Sequence, residues 1–170
     1  HTPNRRVVPL EDAVKRIEVA VASRRSDDFL VVARTDARTG LGLEEAIRRA
    51  RAFAKAGADI LFVESPESEA EFEKVGAELA GEAKLLANMV PTGRSPMLPA
   101  ETLARFGFSI AIYPSAGMGA ACAALEGAYG WLRTHGSLAG SPVPAFDMQQ
   151  LHELVGFPDV WDFERRHVEK

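Results

Sequence analysis

Four short apolar runs in this sequence end in polar side chains of types that do chemistry. Phe29-Leu30-Val31-Val32-Ala33 leads into Arg34-Thr35-Asp36, and Ile60-Leu61-Phe62-Val63 into Glu64-Ser65. Leu85-Leu86-Ala87 leads into Asn88, with Thr92 and Gly93 in the loop beyond, and Ile110-Ala111-Ile112 into Tyr113-Pro114-Ser115. In parallel α/β proteins, ligands bind beyond the carboxyl ends of the strands, so these groups belong to one rim. Arg34 is the sharpest of them, because a guanidinium presents a planar fork matched to a carboxylate or phosphate. The same fork suits a structural ion pair with Asp36 or Glu64, and both readings stand. Glu64 either orients Arg34 or takes part in proton transfer. Asn88 either caps its loop or holds a ligand, and Asp36 reads as a turn or cap residue.

Other residues carry less. Cys122 is the single cysteine, set among alanines, so it reads as packing, and a disulfide framework is excluded. His135, His152 and His167 read as surface or interface residues. Gly117 and Gly119 precede a helix without the remaining fingerprint glycine, which argues against a dinucleotide site. Twenty Lys and Arg against 24 Asp and Glu give a net charge of -4. Such a chain has no basic excess for a phosphate backbone, so nucleic acid is not an expected partner. The apolar runs are far shorter than the roughly 20 residues that span a bilayer. No membrane partner is expected, no signal peptide is read, and a reducing, cytoplasmic setting follows.

The elements that must place this rim alternate. Pro9 and Glu11-Asp12 suit the start of a helix with Leu10, Val14, Ile17 and Val21 on one face. Strands are expected at Phe29–Ala33, buried on both faces, at Asp59–Val63, also buried, and at Lys84–Asn88 and Ser109–Tyr113. Between them the spacing predicts helices over Leu41–Ala56, closed by Gly57, over Ser68–Leu79 with a Ser68…Glu71 capping box, and over Pro99–Phe106. A fourth helix is expected from Ala116 to Thr134. Strands alternating with helices imply a parallel sheet with right-handed crossovers, either an open doubly wound sheet or part of a (β/α)₈ barrel. At 170 residues the chain is short of the roughly 250 of a closed barrel. A Gly/Ser/Pro linker follows, then helical turns at Met148–Val155 and Val160–His167. Their Leu151, Leu154, Phe157, Trp161 and Phe163 are too apolar for a solvated tail.

The segments FLVVARTDA (29–37), AKAGADILFVE (54–64), LANMVPTGRSP (86–96) and IAIYP (110–114) resemble the isocitrate lyase/phosphoenolpyruvate mutase superfamily. Within it they resemble the methylisocitrate lyase, dimethylmalate lyase and carboxyvinyl-carboxyphosphonate phosphorylmutase-like enzymes. The resemblance implies an α/β fold, the C-terminal half of a (β/α)₈ barrel over residues 1–136. Residues 137–170 would be a linker and helical docking arm packed on a neighbouring subunit. It implies a homotetramer, a dimer of dimers exchanging the C-terminal helix. His1-Thr2-Pro3-Asn4 resembles the end of the family's K-R-C-G-H-x-P-N segment, whose cysteine would precede residue 1. By resemblance Arg34 and Glu64 are catalytic, Arg34 on a substrate carboxylate and Glu64 near the metal waters or the reacting oxygen. His1, Asn88, Met89 and Val90 would bind substrate. The Mg²⁺ (or Mn²⁺) ligands would also lie before residue 1, with none in this chain.

The activity so implied is Mg²⁺-dependent cleavage of a C–C bond in a small 2-hydroxy di- or tricarboxylic acid through an enolate. Oxaloacetate decarboxylation, phosphonomutase chemistry and a non-catalytic relative are the alternatives. Gly119 stands where methylisocitrate lyases tend to have an arginine, which tilts the expectation toward a smaller di-acid.

Overall fold

The computed structural model describes residues 6–168. They fall into two compact units, the first ending at Gly117 and the second beginning at Met118.

The first unit opens with helix α1 (Leu10–Ser23) behind Pro9. Its Leu10, Ala13, Val14 and Ile17 lie against the core, as the spacing predicts. Strand β1 (Val32–Thr35) starts later than expected, and Phe29 stays 68% exposed. The expectation of burial on both faces fails here, because β1 is an edge strand. Its Val31, Ala33 and Thr35 are buried on one side, whereas Val32 and Arg34 face outward on the other.

Two helices follow where one was expected. Gly42, at φ 89°, ends the short α2 (Ala37–Leu41) and starts α3 (Leu43–Lys55). Few residues but glycine take that backbone conformation readily, so the helical pattern breaks there. Gly57 stands beyond the end of α3 as the sequence implied, at φ 96°. Then come the fully buried β2 (Ile60–Val63) and α4 (Glu69–Leu79). Ser68 Oγ accepts the Glu71 N–H at 3.2 Å, but the return half of the expected capping box is absent. The Glu71 carboxylate turns instead to the Glu67 N–H and to Arg38. The unit closes with β3 (Lys84–Asn88), α5 (Ala100–Arg105) and β4 (Phe108–Ile112).

All four strands are parallel in the order β1-β2-β3-β4. The sheet has two differently used faces, as period-two alternation requires. Ala33, Leu61, Val63, Leu85, Ala87 and Met89 meet the helices in one core with Ile47, Phe53, Phe72, Val75 and Leu103. On the opposite face a smaller cluster joins Ile60, Phe62 and Leu86, with Ile112 against it. That second face carries the candidate site.

The second unit is helical: most of α6 (Ala116–His135), then α7 (Met148–Leu154) and α8 (Phe157–His167). Asp147 and Gln150 form a complete capping box at the start of α7. His152 contacts the rings of Phe157 and Trp161, pinning α7 to α8. Trp131 stacks on His135 one turn later, with ring centroids 3.8 Å apart.

Candidate functional site

Arg34 is on β1, Glu64 follows the last residue of β2, and Asn88 ends β3. Parallel register sets Arg34 beside Phe62 and Thr35 beside Val63, so Glu64 emerges one step above Arg34. Alternation then turns Arg34, Phe62, Glu64, Leu86 and Asn88 to the same side of the sheet. The sequence therefore dictates the meeting of three polar groups above an apolar floor.

Their contacts are specific. Arg34 Nε and Nη2 donate to Asp36 Oδ2 and Oδ1 at 2.9 and 2.8 Å, a two-point fork. Nη2 also lies 3.4 Å from Glu64 Oε1. The guanidinium carbon stands 5.0 Å over the Phe62 ring, a cation–π placement. The Asp36 hydrogen bond, more than any other influence, holds Arg34 protonated beyond its ordinary range. The Glu64 side chain is only 4% exposed. It accepts from Ser65 Oγ and from Asn88 Nδ2, both at 3.3 Å. Asn88 Oδ1 is buried with no hydrogen-bond partner among the described residues. A buried acceptor left open in this way suits a donor brought by a ligand.

A small cavity opens here, lined by Glu64, Ser65, Asn88, Val90, Gly93, Arg94 and Ser95. Of the residues read from the sequence, Arg34, Glu64 and Asn88 come together and Val90 lines the cavity. Met89 faces the other way, fully buried in the core, its Sδ accepting the Leu98 N–H at 3.4 Å. His1 lies outside the described residues. Arg94 and Ser95 were not singled out in the sequence; their place in LANMVPTGRSP, just beyond a strand end, was the signal available. Asp36 is more than a turn residue, since it aligns the Arg34 fork. A second cleft, of about 580 Å³, is lined by Arg6, Arg16, Arg34, Asp36 and Arg49 among others. No group of three His, Cys, Asp or Glu side chains among the described residues is arranged to hold a metal ion.

Residues 1–131 match the model of the family described as phosphoenolpyruvate phosphomutase. The chain belongs to that family. It is 36% identical to 2,3-dimethylmalate lyase of Eubacterium barkeri over 168 residues, 99% of this chain and 57% of that protein. It is 40% identical to probable 2-methylisocitrate lyase 2 of Corynebacterium glutamicum, over 98% of this chain and 53% of the relative. Among solved structures, oxaloacetate acetylhydrolase in complex with the inhibitor 3,3-difluorooxalacetate superposes with a TM-score of 0.85 at 34% identity. That match covers 100% of this chain and 57% of the other. The phosphoenolpyruvate phosphomutase family member described here thus spans little more than half the length of these relatives. Its four parallel strands are part of a (β/α)₈ barrel, as the resemblance implied.

Proposed function

We propose that the protein carrying this chain is a carbon–carbon lyase that cleaves a small 2-hydroxy dicarboxylic acid through an enolate. One observation carries the reading: a guanidinium aligned by Asp36, set over Phe62 and against buried Glu64, at the carboxyl edge of a parallel sheet. Asp36 engages the Nε–Nη2 edge of Arg34, and a substrate carboxylate takes Nη1. Glu64 accepts a hydrogen bond from the substrate hydroxyl, and Asn88 Oδ1 accepts another ligand donor. Glu64 takes the hydroxyl proton, the oxygen forms a C=O bond on its own carbon, and the C–C bond breaks with its electron pair passing into the enolate of the other fragment, which is then protonated. Names of relatives that act on dimethylmalate, methylisocitrate and oxaloacetate support a carboxylate substrate.

The other expectations belong to the same proposal. A Mg²⁺ or Mn²⁺ ion would be held by side chains outside residues 1–170, together with an acid preceding His1. His1 itself would touch substrate, and Met89 would back the pocket from the core. The tail would dock on a second copy in a dimer of dimers, supported by the exposed Leu154, Phe157, Trp161 and Phe163. No helix among the described residues is long and apolar enough to cross a membrane, and a cytoplasmic enzyme fits that. Turnover of the whole protein with Mg²⁺ on 2-hydroxy di- and tricarboxylates and oxaloacetate tests the reading. Cleavage of a 2-hydroxy dicarboxylate is expected; decarboxylation of oxaloacetate alone would favour the decarboxylase, and no turnover of any would favour a non-catalytic relative.

A further inference from the structure

The strongest cluster outside the Arg34–Glu64 pair sits on α2, the helix that the sequence pattern did not reveal. Arg38 is only 18% exposed and reaches across to the segment leaving β2. Its Nε and Nη2 donate to Glu71 Oε2 and Oε1 at 2.9 and 2.5 Å, and its Nη1 lies 2.7 Å from Glu67 Oε1. Glu71 Oε2 in turn accepts the Glu67 N–H at 2.8 Å, so one guanidinium and one carboxylate grip both ends of a short stretch. Between those grips and β2 stand Glu64, Ser65 and Pro66. Ser65 is buried and left-handed, at φ 58°. A non-glycine residue in that region costs on the order of 1 kcal/mol and persists only where its surroundings hold it. The same Ser65 hydroxyl touches Glu64 Oε1.

The clamp also works on the other partner. Arg38 is two residues past Asp36, on the turn that begins α2, and Asp36 forks Arg34. A single guanidinium therefore ties the segment that aligns Arg34 to the segment that presents Glu64. A surface ion pair would not be built this way: three charge-assisted contacts converge on a mostly buried fork, one of them a two-point pair.

We propose that Arg38, with Glu67 and Glu71, is a positioning device that sets Glu64 relative to Arg34. This rests on the lyase reading only for its effect on turnover; the effect on Glu64 itself does not. Arg38 touches no reacting atom. Loosening the clamp lets the Ser65 turn relax and moves the Glu64 carboxylate by a fraction of its distance to Arg34. Misplacement on that scale costs about 10- to 100-fold in rate when it falls on a reacting group.

The test uses Arg38→Gln, Arg38→Lys and Glu71→Gln in the whole protein, with two readouts. The carboxyl ¹³C resonance of Glu64 reports its surroundings whether or not a substrate has been found. Steady-state kinetics on the best substrate give kcat and KM separately. The expected result is a displaced Glu64 resonance in Arg38→Gln and Glu71→Gln, with Arg38→Lys between them and the parent. With it goes a fall in kcat of about 10- to 100-fold at a KM within about twofold, again partly restored by lysine. Folded variants with the parent's Glu64 resonance and kcat would overturn the proposal. If Arg38→Gln does not fold, Arg38→Lys and Glu71→Gln decide by the same readings. A parent protein without turnover on any substrate sinks the lyase reading alone, and the resonance then decides whether Arg38 positions Glu64.

Discussion

At the scale of single residues, the ion pair that the position of Arg34 in the sequence allowed is present, and the contact of Arg34 with a substrate carboxylate is the proposal. Arg34 is a structural ion-pair member with Asp36 and Glu64, and that pairing is what gives its fork a fixed direction. A lysine keeps the charge but loses the planar two-point contact. The Arg34 side chain is 41% exposed, so Arg34→Lys should lower kcat/KM by about 10- to 100-fold, the loss of one charge-assisted hydrogen bond, while leaving the circular dichroism spectrum unchanged. Gly76 gives a second test at this scale. A Cβ built there would stand 1.7 Å from the Phe106 carbonyl oxygen, where the end of α5 crosses α4. The obstacle is backbone, which cannot swing aside. Gly76→Ala should cost about 3 kcal/mol, the upper end of the ordinary range for overpacking, read as a lower denaturation midpoint at unchanged m-value. The role of Arg34 was legible in the sequence; its alignment by Asp36, which read as a turn residue, was not, and Gly76 was an unremarked glycine in a helix.

At the scale of elements, the buried strands and the long helices were legible because their apolar spacing is strong. The failures have local physical causes. β1 begins late and one face is bare because it lies at the sheet edge, which periodicity does not reveal. α2 was missed because a single helix was expected from Leu41, whereas Gly42 at positive φ ends α2 there and starts α3 at Leu43. At the amino ends of the strands, Asp59 joins three elements. Its Oδ2 accepts from the Val31 N–H at 2.8 Å and from Arg24 Nη1 at 2.9 Å. The Val31 hydrogen bond first, then Arg24, holds its carboxyl below the ordinary aspartate range. A carboxyl depressed in the folded state stabilises above its unfolded pKa, and that stability is lost as pH falls through the folded value. Asp59→Ala should thus lower Tm by several degrees at pH 7, for a loss of about 1–3 kcal/mol. The gap from the parent should close as the scans move down through the acid range below pH 4. A gap that stays constant with pH would remove Asp59 from the linkage.

At the scale of the whole molecule, the four-stranded parallel sheet and its rim followed from the sequence, and so did the meeting of Arg34, Glu64 and Asn88. What did not follow is how the two compact units divide, at Gly117 and Met118, since α6 runs through that point without a break. The helical arm should also behave as an assembly element. Trp161→Glu places a charge on the ring cluster with His152 and Phe157, and it should lower the sedimentation coefficient of the whole protein. An unchanged oligomer would take Trp161 out of the interface. The proposed reaction places a small 2-hydroxy dicarboxylate at the Arg34–Glu64 edge of the sheet and cleaves it there. Proton NMR of the whole protein with Mg²⁺ and such an acid tests it most directly, run on the parent and on Arg34→Lys. The parent should convert the acid to two carbon fragments, and Arg34→Lys should do so at least about 10-fold more slowly. Equal rates in the two proteins would contradict it.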